Sequence, residues 1–198
     1  MSPDTDFPRL VLASTSRYRA GLLRRLTDRF EQASPGTDET PLPDEAPAQR
    51  ALRLAIAKAT AVASHHPGSL VIGSDQVAEL DGRMLDKPGD AETARAQLGA
   101  SSAREVLFHT AVCLIDTRNG RQYTHVDLTR VRFRALRADE IDRYIKIEQP
   151  LDCAGSFKCE GLGISLFEAI DNRDPSALIG LPLIALAQLL RQAGWSLP

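Results

Sequence analysis

The sequence predicts an α/β protein, built as one large domain over residues 1–198 or as two small lobes sharing a sheet. Three features carry that expectation. An apolar run at 9–13 passes through small hydroxyl residues into a helical pattern. A second apolar run, 70–72, leads through Gly73 and Ser74 to Asp75 and then to a hairpin signal at Asp81-Gly82. Two long β-like runs, 105–115 and 121–133, flank a turn at 116–120 and read as an antiparallel ribbon.

The first run ends at Ser14-Thr15-Ser16, where Ser14 or Ser16 suits the N-cap of a helix over 17–26. Backbone N–H groups left unpaired at such a turn suit a phosphate. Among the arginines of that helix, Arg19 is best placed to turn toward the anion. Residues 30–33 read as a short strand. A proline-bounded loop, 35–43, sets Asp38 beside Glu39. It is either a solvated acidic loop or a metal site, since Mg²⁺ favours a few carboxylates completed by phosphate oxygens. An alanine-rich helix over 47–65 follows, with Leu52, Leu54, Ile56 and Ala59 as its apolar positions. Lys58 is the ammonium midway along it, and solvation is its default. His65 and His66 suit the dipole at the helix end.

In the stretch 70–88, small residues at 73 and 74 let a ligand or another backbone come close. Asp75 stands at the end of the apolar run, and the returning strand delivers Lys87, pinned by Pro88. A carboxylate and an ammonium from adjoining strands therefore head for one place. Taken alone, a loop-capping Asp75 and a solvated Lys87 are the plainer reading.

Asp90 is a plausible cap for a helix over 90–98. In the ribbon, Val106, Phe108, Val112, Leu114, Val126, Leu128, Val131 and Phe133 are expected to face a core, with His109 and His125 structural. Residues 138–147 form an amphipathic pattern whose Tyr144 serves core or interface. Three glycines between 153 and 164 surround Lys158 and Glu160 and mark close backbone approach. Residues 164–170 are strand-like. A turn from Asp174-Pro175 then leads to a terminal helix over 182–192, with Trp195 closing the core edge.

A hydrophobic share of 43% with 25% charged residues is that of a globular chain able to bury a core. A net charge of -2 and 5% aromatic residues argue against a nucleic-acid binder, while leaving room for a local basic pocket. Cys113, Cys153 and Cys159 include no Cys-x-x-Cys pair and read as reduced thiols in the cytoplasm. No segment has the roughly 18 continuous apolar residues of a membrane span, so no membrane partner is expected. Residues 1–8, with Asp4 and Asp6, do not read as a signal peptide.

Taken in order, Ser14-Thr-Ser16-x-x-Arg19, Asp38-Glu39-Thr40, Lys58, Ser74-Asp75, Lys87-Pro88, Ala154-Gly155-Ser156 with Gly161, and Asp174-Pro175 with Gly180-Leu-Pro-Leu183 resemble the Maf family of nucleoside triphosphate pyrophosphatases. The resemblance runs from about residue 10 to 192. It implies an elongated mixed sheet flanked by helices, with two lobes around a central cleft, similar to the inosine triphosphate pyrophosphatase group. It also implies a divalent metal, Mg²⁺ or Mn²⁺, and a cytoplasmic housecleaning role on modified nucleotides. Carried over residue by residue, it makes Asp75 the catalytic carboxylate and Glu39, Asp38 and Asp75 the metal ligands. Ser14, Ser16, Arg19, Lys58 and Lys87 become the phosphate ligands.

The family divides between dTTP/UTP and 7-methyl-GTP as substrates, and Tyr18, Gln76 and Glu160 stand where the second branch differs from the first. An aromatic face attracts the cationic methylated guanine, a contact worth about 0.5–2 kcal/mol. A carboxylate can take its N1–H and N2–H donors as a bidentate pair. The alternatives are a pyrophosphatase for dTTP, UTP or other nucleotides, and a regulatory module that binds nucleotide without hydrolysis. The terminal helix and the ribbon offer surfaces for a homodimer. Arg17 departs from the usual proline and Asp86 from the usual glycine; Asp86 could neutralise Lys87 or serve as an outlying carboxylate.

Overall fold

In the computed structural model, which describes residues 7–198, the first apolar run forms β1 (Arg9–Ala13) and Ser16 caps α1 (Arg17–Leu23). Residues 1–6, on which the signal-peptide reading partly rests, lie outside the described residues. The Ser16 side chain accepts the Arg19 amide N–H at 3.4 Å. Arg17 therefore takes the first helical position, where proline is also well suited, without altering the helix start. β2 (Glu31–Ala33), α2 (Pro47–Ala63), β3 (Ser69–Leu80) and β4 (Arg83–Leu85) follow. Then come α3 (Ala91–Ser101), β5 (Glu105–Asp116), β6 (Arg121–Phe133), α4 (Ala138–Glu148), β7 (Phe167–Asp171) and α5 (Leu183–Gln192).

The sheet order is β2-β1-β3-β5-β6-β7, with β4 also paired to β3. β1 runs parallel to β2 and β3, and the remaining pairs are antiparallel, so the sheet is mixed. Asp75 does not end a strand, as expected from the sequence. It lies midway along β3, opposite Ala111 of β5. What ends there is the neighbouring strand: β1 accompanies β3 only as far as Ile72, and β4 joins it only from Ala78. Because β5 occupies the other edge, β3 has an unpaired stretch between those points, with Asp75 in its middle.

The same stretch divides the interior. Side chains of a strand alternate between faces. On one face, Leu70, Ile72, Val112 and Leu114 pack with Ala20, Leu23, Leu186 and Leu190 of α1 and α5. Farther along that face, Ala78, Phe108, Val131 and Phe133 gather with Leu98, Ile141 and Tyr144 of α3 and α4. Ser74, Gln76 and Thr110 form a polar seam between these cores. The opposite face is covered by α2, whose Ala51, Ala55 and Ala59 meet Val77, Ala111 and Cys113. Val126 meets the expectation for the ribbon by packing on the α2-side core, on the face opposite to Val131 and Phe133. Leu128 shares that face, is half-buried, and joins none of the core clusters of the described residues. The expected strand over 164–170 is also half right, since a 3₁₀ turn occupies Leu162–Leu166 before β7.

Gly73 sets the distance between helix and sheet. A Cβ built there would lie 2.2 Å from the Ala55 carbonyl oxygen and 2.6 Å from the Ala59 nitrogen. Only glycine lets α2 lie this close, so Gly73→Ala is expected to cost at least about 2 kcal/mol in denaturant unfolding. A variant of wild-type stability would refute the contact.

At the seam's far end Asp127 is buried, and its Oδ1 has no hydrogen-bond partner. Burial, together with the nearby Asp174 charge, holds its carboxyl above the ordinary value. A raised carboxyl favours the fold at low pH and loses that advantage as pH rises through its folded value. Asp127→Asn should therefore raise the melting temperature near pH 7, with the gain vanishing below about pH 4.

Candidate functional site

Two adjoining cavities open at the unpaired stretch of β3. The first has a volume of about 350 Å³ and the second about 360 Å³, and both are lined by Ser16, Tyr18, Arg19, Glu39, Lys58 and Lys87. The topology explains this convergence. β1 stops level with Gly73 and sends the 14–19 turn toward Asp75, while β4 runs the opposite way and sends Lys87 toward the same residue. Ser14 lines the second cavity, and its Oγ accepts the Ser16 N–H at 3.1 Å.

At the centre the Lys58 ammonium donates to Asp75 Oδ1 at 2.5 Å and to Glu39 Oε1 at 2.7 Å. Lys58 and Asp75 are only 6% and 7% exposed, so the solvated lysine expected by default is overturned. The helix places it opposite a buried carboxylate, and an unpaired charge there would be costly. Two of its three N–H donors are engaged, which leaves one. Burial pushes the Glu39 carboxyl up, but the hydrogen bond and charge of Lys58, with Lys87 and Arg19, hold it below its ordinary value. Burial lowers the Arg19 guanidinium, partly offset by Asp75 and Glu39. Its Nε donates to the Gly180 carbonyl at 2.9 Å.

Asp38 does not join this group. It is exposed, lines neither cavity, and turns back on Thr40, accepting its N–H at 2.9 Å and its hydroxyl at 2.6 Å. Among the described residues no three His, Cys, Asp or Glu side chains cluster as a metal site. Of the carboxylates lining the cavities, Glu39 and Asp75 are bridged by Lys58. Such a pair suits Mg²⁺ or Mn²⁺ only when phosphate oxygens complete the shell.

The first cavity is also lined by Tyr18, Gln76, Phe157 and Glu160, and of these Tyr18 lines the second cavity as well. The Arg17 guanidinium lies 4.9 Å from the Tyr18 ring centroid and donates to its hydroxyl at 2.9 Å, so one ring face has a cationic neighbour. Gln76 Nε2 donates to Thr110 Oγ1 at 2.9 Å and lies 3.0 Å from the Ala177 and Leu178 carbonyls, tying the 177–180 turn to the seam. Glu160 is exposed and accepts only a long contact from the Cys159 thiol, at 3.5 Å. The loop carrying it is anchored elsewhere, by Lys158 to the Glu148 carbonyl at 2.8 Å and by the Tyr144 hydroxyl, which accepts the Lys158 N–H at 3.0 Å.

Sequence reasoning missed Arg50 and Asp152, which also line the site. Arg50 had a signal, since Arg50, Leu54 and Lys58 recur every four residues on one helix face and all three reach the cavity. Its Nη1 lies 3.1 Å from Asp86 Oδ1. Asp86 therefore pairs with Arg50 and not with Lys87. Asp152 stands alone in an irregular loop and gave no signal.

A family model described as Maf-like protein matches residues 9–193. A relative from Xanthomonas oryzae pv. oryzae named 7-methyl-GTP pyrophosphatase is 60% identical over 191 residues, covering 96% of this chain and 100% of that protein. One of the same name from Burkholderia thailandensis is 55% identical over 196 residues, covering 98% and 91%. Among solved structures, the Staphylococcus aureus Ham1 protein matches at 15% identity and a TM-score of 0.44, covering 63% of this chain and 71% of its own.

Removing the shared cation strands a buried carboxylate. Lys58→Met should lower stability by about 3–5 kcal/mol near neutral pH in denaturant unfolding. A loss below about 1 kcal/mol would mean the pair behaves as a solvated one.

Proposed function

The chain belongs to the Maf family, and from that premise we propose that it hydrolyses 7-methyl-GTP to 7-methyl-GMP and pyrophosphate. The observation that carries the reading is the convergence of Asp75, Glu39, Lys58, Arg19 and Lys87 on one cavity that Tyr18 and Glu160 also line. Two carboxylates and three cations suit a triphosphate with a divalent ion, and a module that only bound nucleotide would need Asp75 as the partner of Lys58 but not its second oxygen.

In this reading Ser14, Ser16, Arg19 and Lys87 hold the phosphate chain, with the remaining Lys58 donor reaching a phosphate oxygen. Arg19 is anchored through Nε to the Gly180 carbonyl, which leaves its two terminal nitrogens for a bidentate contact. Asp75 Oδ1 is committed to Lys58, so Oδ2 orients the attacking water and takes its proton as the α-phosphorus is attacked. Lys58 fixes that carboxylate in direction through the 2.5 Å hydrogen bond. A divalent cation, Mg²⁺ or Mn²⁺, would be held by Glu39 and Asp75 with phosphate oxygens, and would supply relief of charge on the triphosphate. Asp38 has no part in it.

At the base end the Tyr18 face not met by Arg17 takes the methylated, cationic purine, and Glu160 takes its N1–H and N2–H donors. Gln76 acts on specificity through the turn it anchors, because its amide nitrogen is engaged with protein oxygens. The three free thiols suit a reducing compartment, and we place the activity in the cytoplasm. No helix among the described residues is long and apolar enough to cross a membrane.

Pyrophosphate release measured side by side on 7-methyl-GTP, GTP, dTTP, UTP and CTP with Mg²⁺ or Mn²⁺ tests the reading. The methylated nucleotide should give the highest kcat/KM; a preference for dTTP or UTP would move the chain to the other branch. Asp75→Asn should lower kcat by at least about 100-fold with the fold retained. Substantial turnover in that variant would remove the role given to Asp75.

A further inference from the structure

We infer that Arg50 is a positioning residue whose task is to hold the Asp86 carboxylate away from the adjacent Lys87, keeping that ammonium free for the phosphate chain. The inference rests on the proposed role of Lys87 as a phosphate ligand.

An aspartate directly before a phosphate-binding lysine is a hazard. Its carboxylate is one residue away, and a lysine stem is flexible enough to fold back on it. The Asp86 side chain is 69% exposed. Arg50 is the opposite, with a side chain only 10% exposed, rooted on α2 and held beneath the loop. Its Nη1 reaches Asp86 Oδ1 at 3.1 Å and Met84 Sδ at 3.2 Å, and its Nη2 donates to the Glu39 carbonyl at 3.3 Å. The Asp86 carbonyl is fixed separately, accepting from Gln97 Nε2 at 2.9 Å. The backbone at 86 is thus tied toward α3 while its carboxylate is drawn toward α2.

Lys87 makes no salt bridge among the described residues. Its charge is instead felt at Glu39, across the cavity, where it helps to hold that carboxyl down. The buried guanidinium needs an anion and takes the Asp86 carboxylate as its partner, and the lysine beside them has no salt bridge among the described residues. Arg50 also lacks a hydrogen-bond partner for its buried Nε, so it is not otherwise a fully satisfied core residue. The pair with Asp86 is its compensation for burial.

The test uses the whole protein, with Arg50→Met, Arg50→Gln and Arg50→Lys, and with Asp86→Asn added to each of the first two. Inorganic tripolyphosphate binding is measured by calorimetry and KM and kcat on 7-methyl-GTP, at low ionic strength, with melting curves to confirm the fold. Arg50→Met should weaken tripolyphosphate binding and raise KM about tenfold while kcat moves less than about twofold, the signature of lost uniform binding. Adding Asp86→Asn should restore both to within about threefold, and Arg50→Lys should stay close to wild type. Arg50→Gln keeps a donor for the Glu39 carbonyl, and covers the case in which methionine does not fold. An unchanged affinity in the neutral variants, or a double variant no better than its parent, would overturn the inference, since a purely structural Arg50 would not be rescued at position 86. A wild-type protein that binds tripolyphosphate yet hydrolyses no nucleotide would sink the pyrophosphatase reading alone. Failure of the rescue with wild-type activity intact would sink this one alone.

Discussion

The ammonium of Lys58, seated between Asp75 and Glu39, is the interaction on which the rest of the site depends. It exists because a helix backbone can press against a strand at Gly73, two residues before Asp75 and alongside Ala59, the residue after Lys58. A lysine carried on a helix one side chain farther from the sheet would stay in water. Here it joins a strand on the central path of the sheet to a loop that has no regular structure of its own, since Glu39 lies between β2 and α2. Burying one cation with two anions leaves the centre negative, and Arg19 and Lys87 at the rim reverse the balance. Charge of both signs is therefore held within reach of one cavity, the carboxylates sharing Lys58 while Lys87 is left without a salt bridge among the described residues, an arrangement suited to a polyanion accompanied by a metal ion.

The position of the cavity follows from how the sheet is divided. Continuous strands would normally carry one apolar face from end to end. In β3 and β5 that face is interrupted once, by Ser74, Gln76 and Thr110, and the interruption separates the core built by α1 and α5 from the one built by α3 and α4. The neighbouring strand gives out at the same level, so a gap in backbone pairing coincides with a gap in apolar packing. Of the seam residues Gln76 lines the cavity, while Ser74 and Thr110 are fully buried and bonded to the turn at 177–180.

Much of this was legible in the chain. The serine-rich exit from β1, the cap at Asp90 and both strands of the ribbon follow from local patterns, and the structure keeps them nearly to the residue. Errors arose where tertiary placement decides. The polar residues 74–76 look like the end of a strand because an apolar run stops, but they are the seam of a strand that continues to Leu80. Lys58 looks solvated because nothing nearby in sequence is acidic; its partners are 17 and 19 residues away. Asp38 and Glu39 are equivalent as letters, yet a turn closed on Thr40 sends only the second inward. Leu128 is expected in a core because an apolar letter alone does not show whether a neighbour covers that part of the ribbon; it is half-buried and joins no core cluster of the described residues.

One oxygen atom has a wider reach than its place in the chain implies. The Gly180 carbonyl accepts from Arg19 Nε at 2.9 Å and from Ser74 Oγ at 3.0 Å, so a turn near the C-terminus is bonded both to the first helix and to the middle of the sheet. Asp174 and Ser176 hold the start of α5 through the Ile184 and Leu183 amides, which makes that turn continuous with the last helix. Local opening of α5 would therefore spread: as that helix lets go, the Gly180 carbonyl is freed to move and Arg19 loses its brace at the cavity.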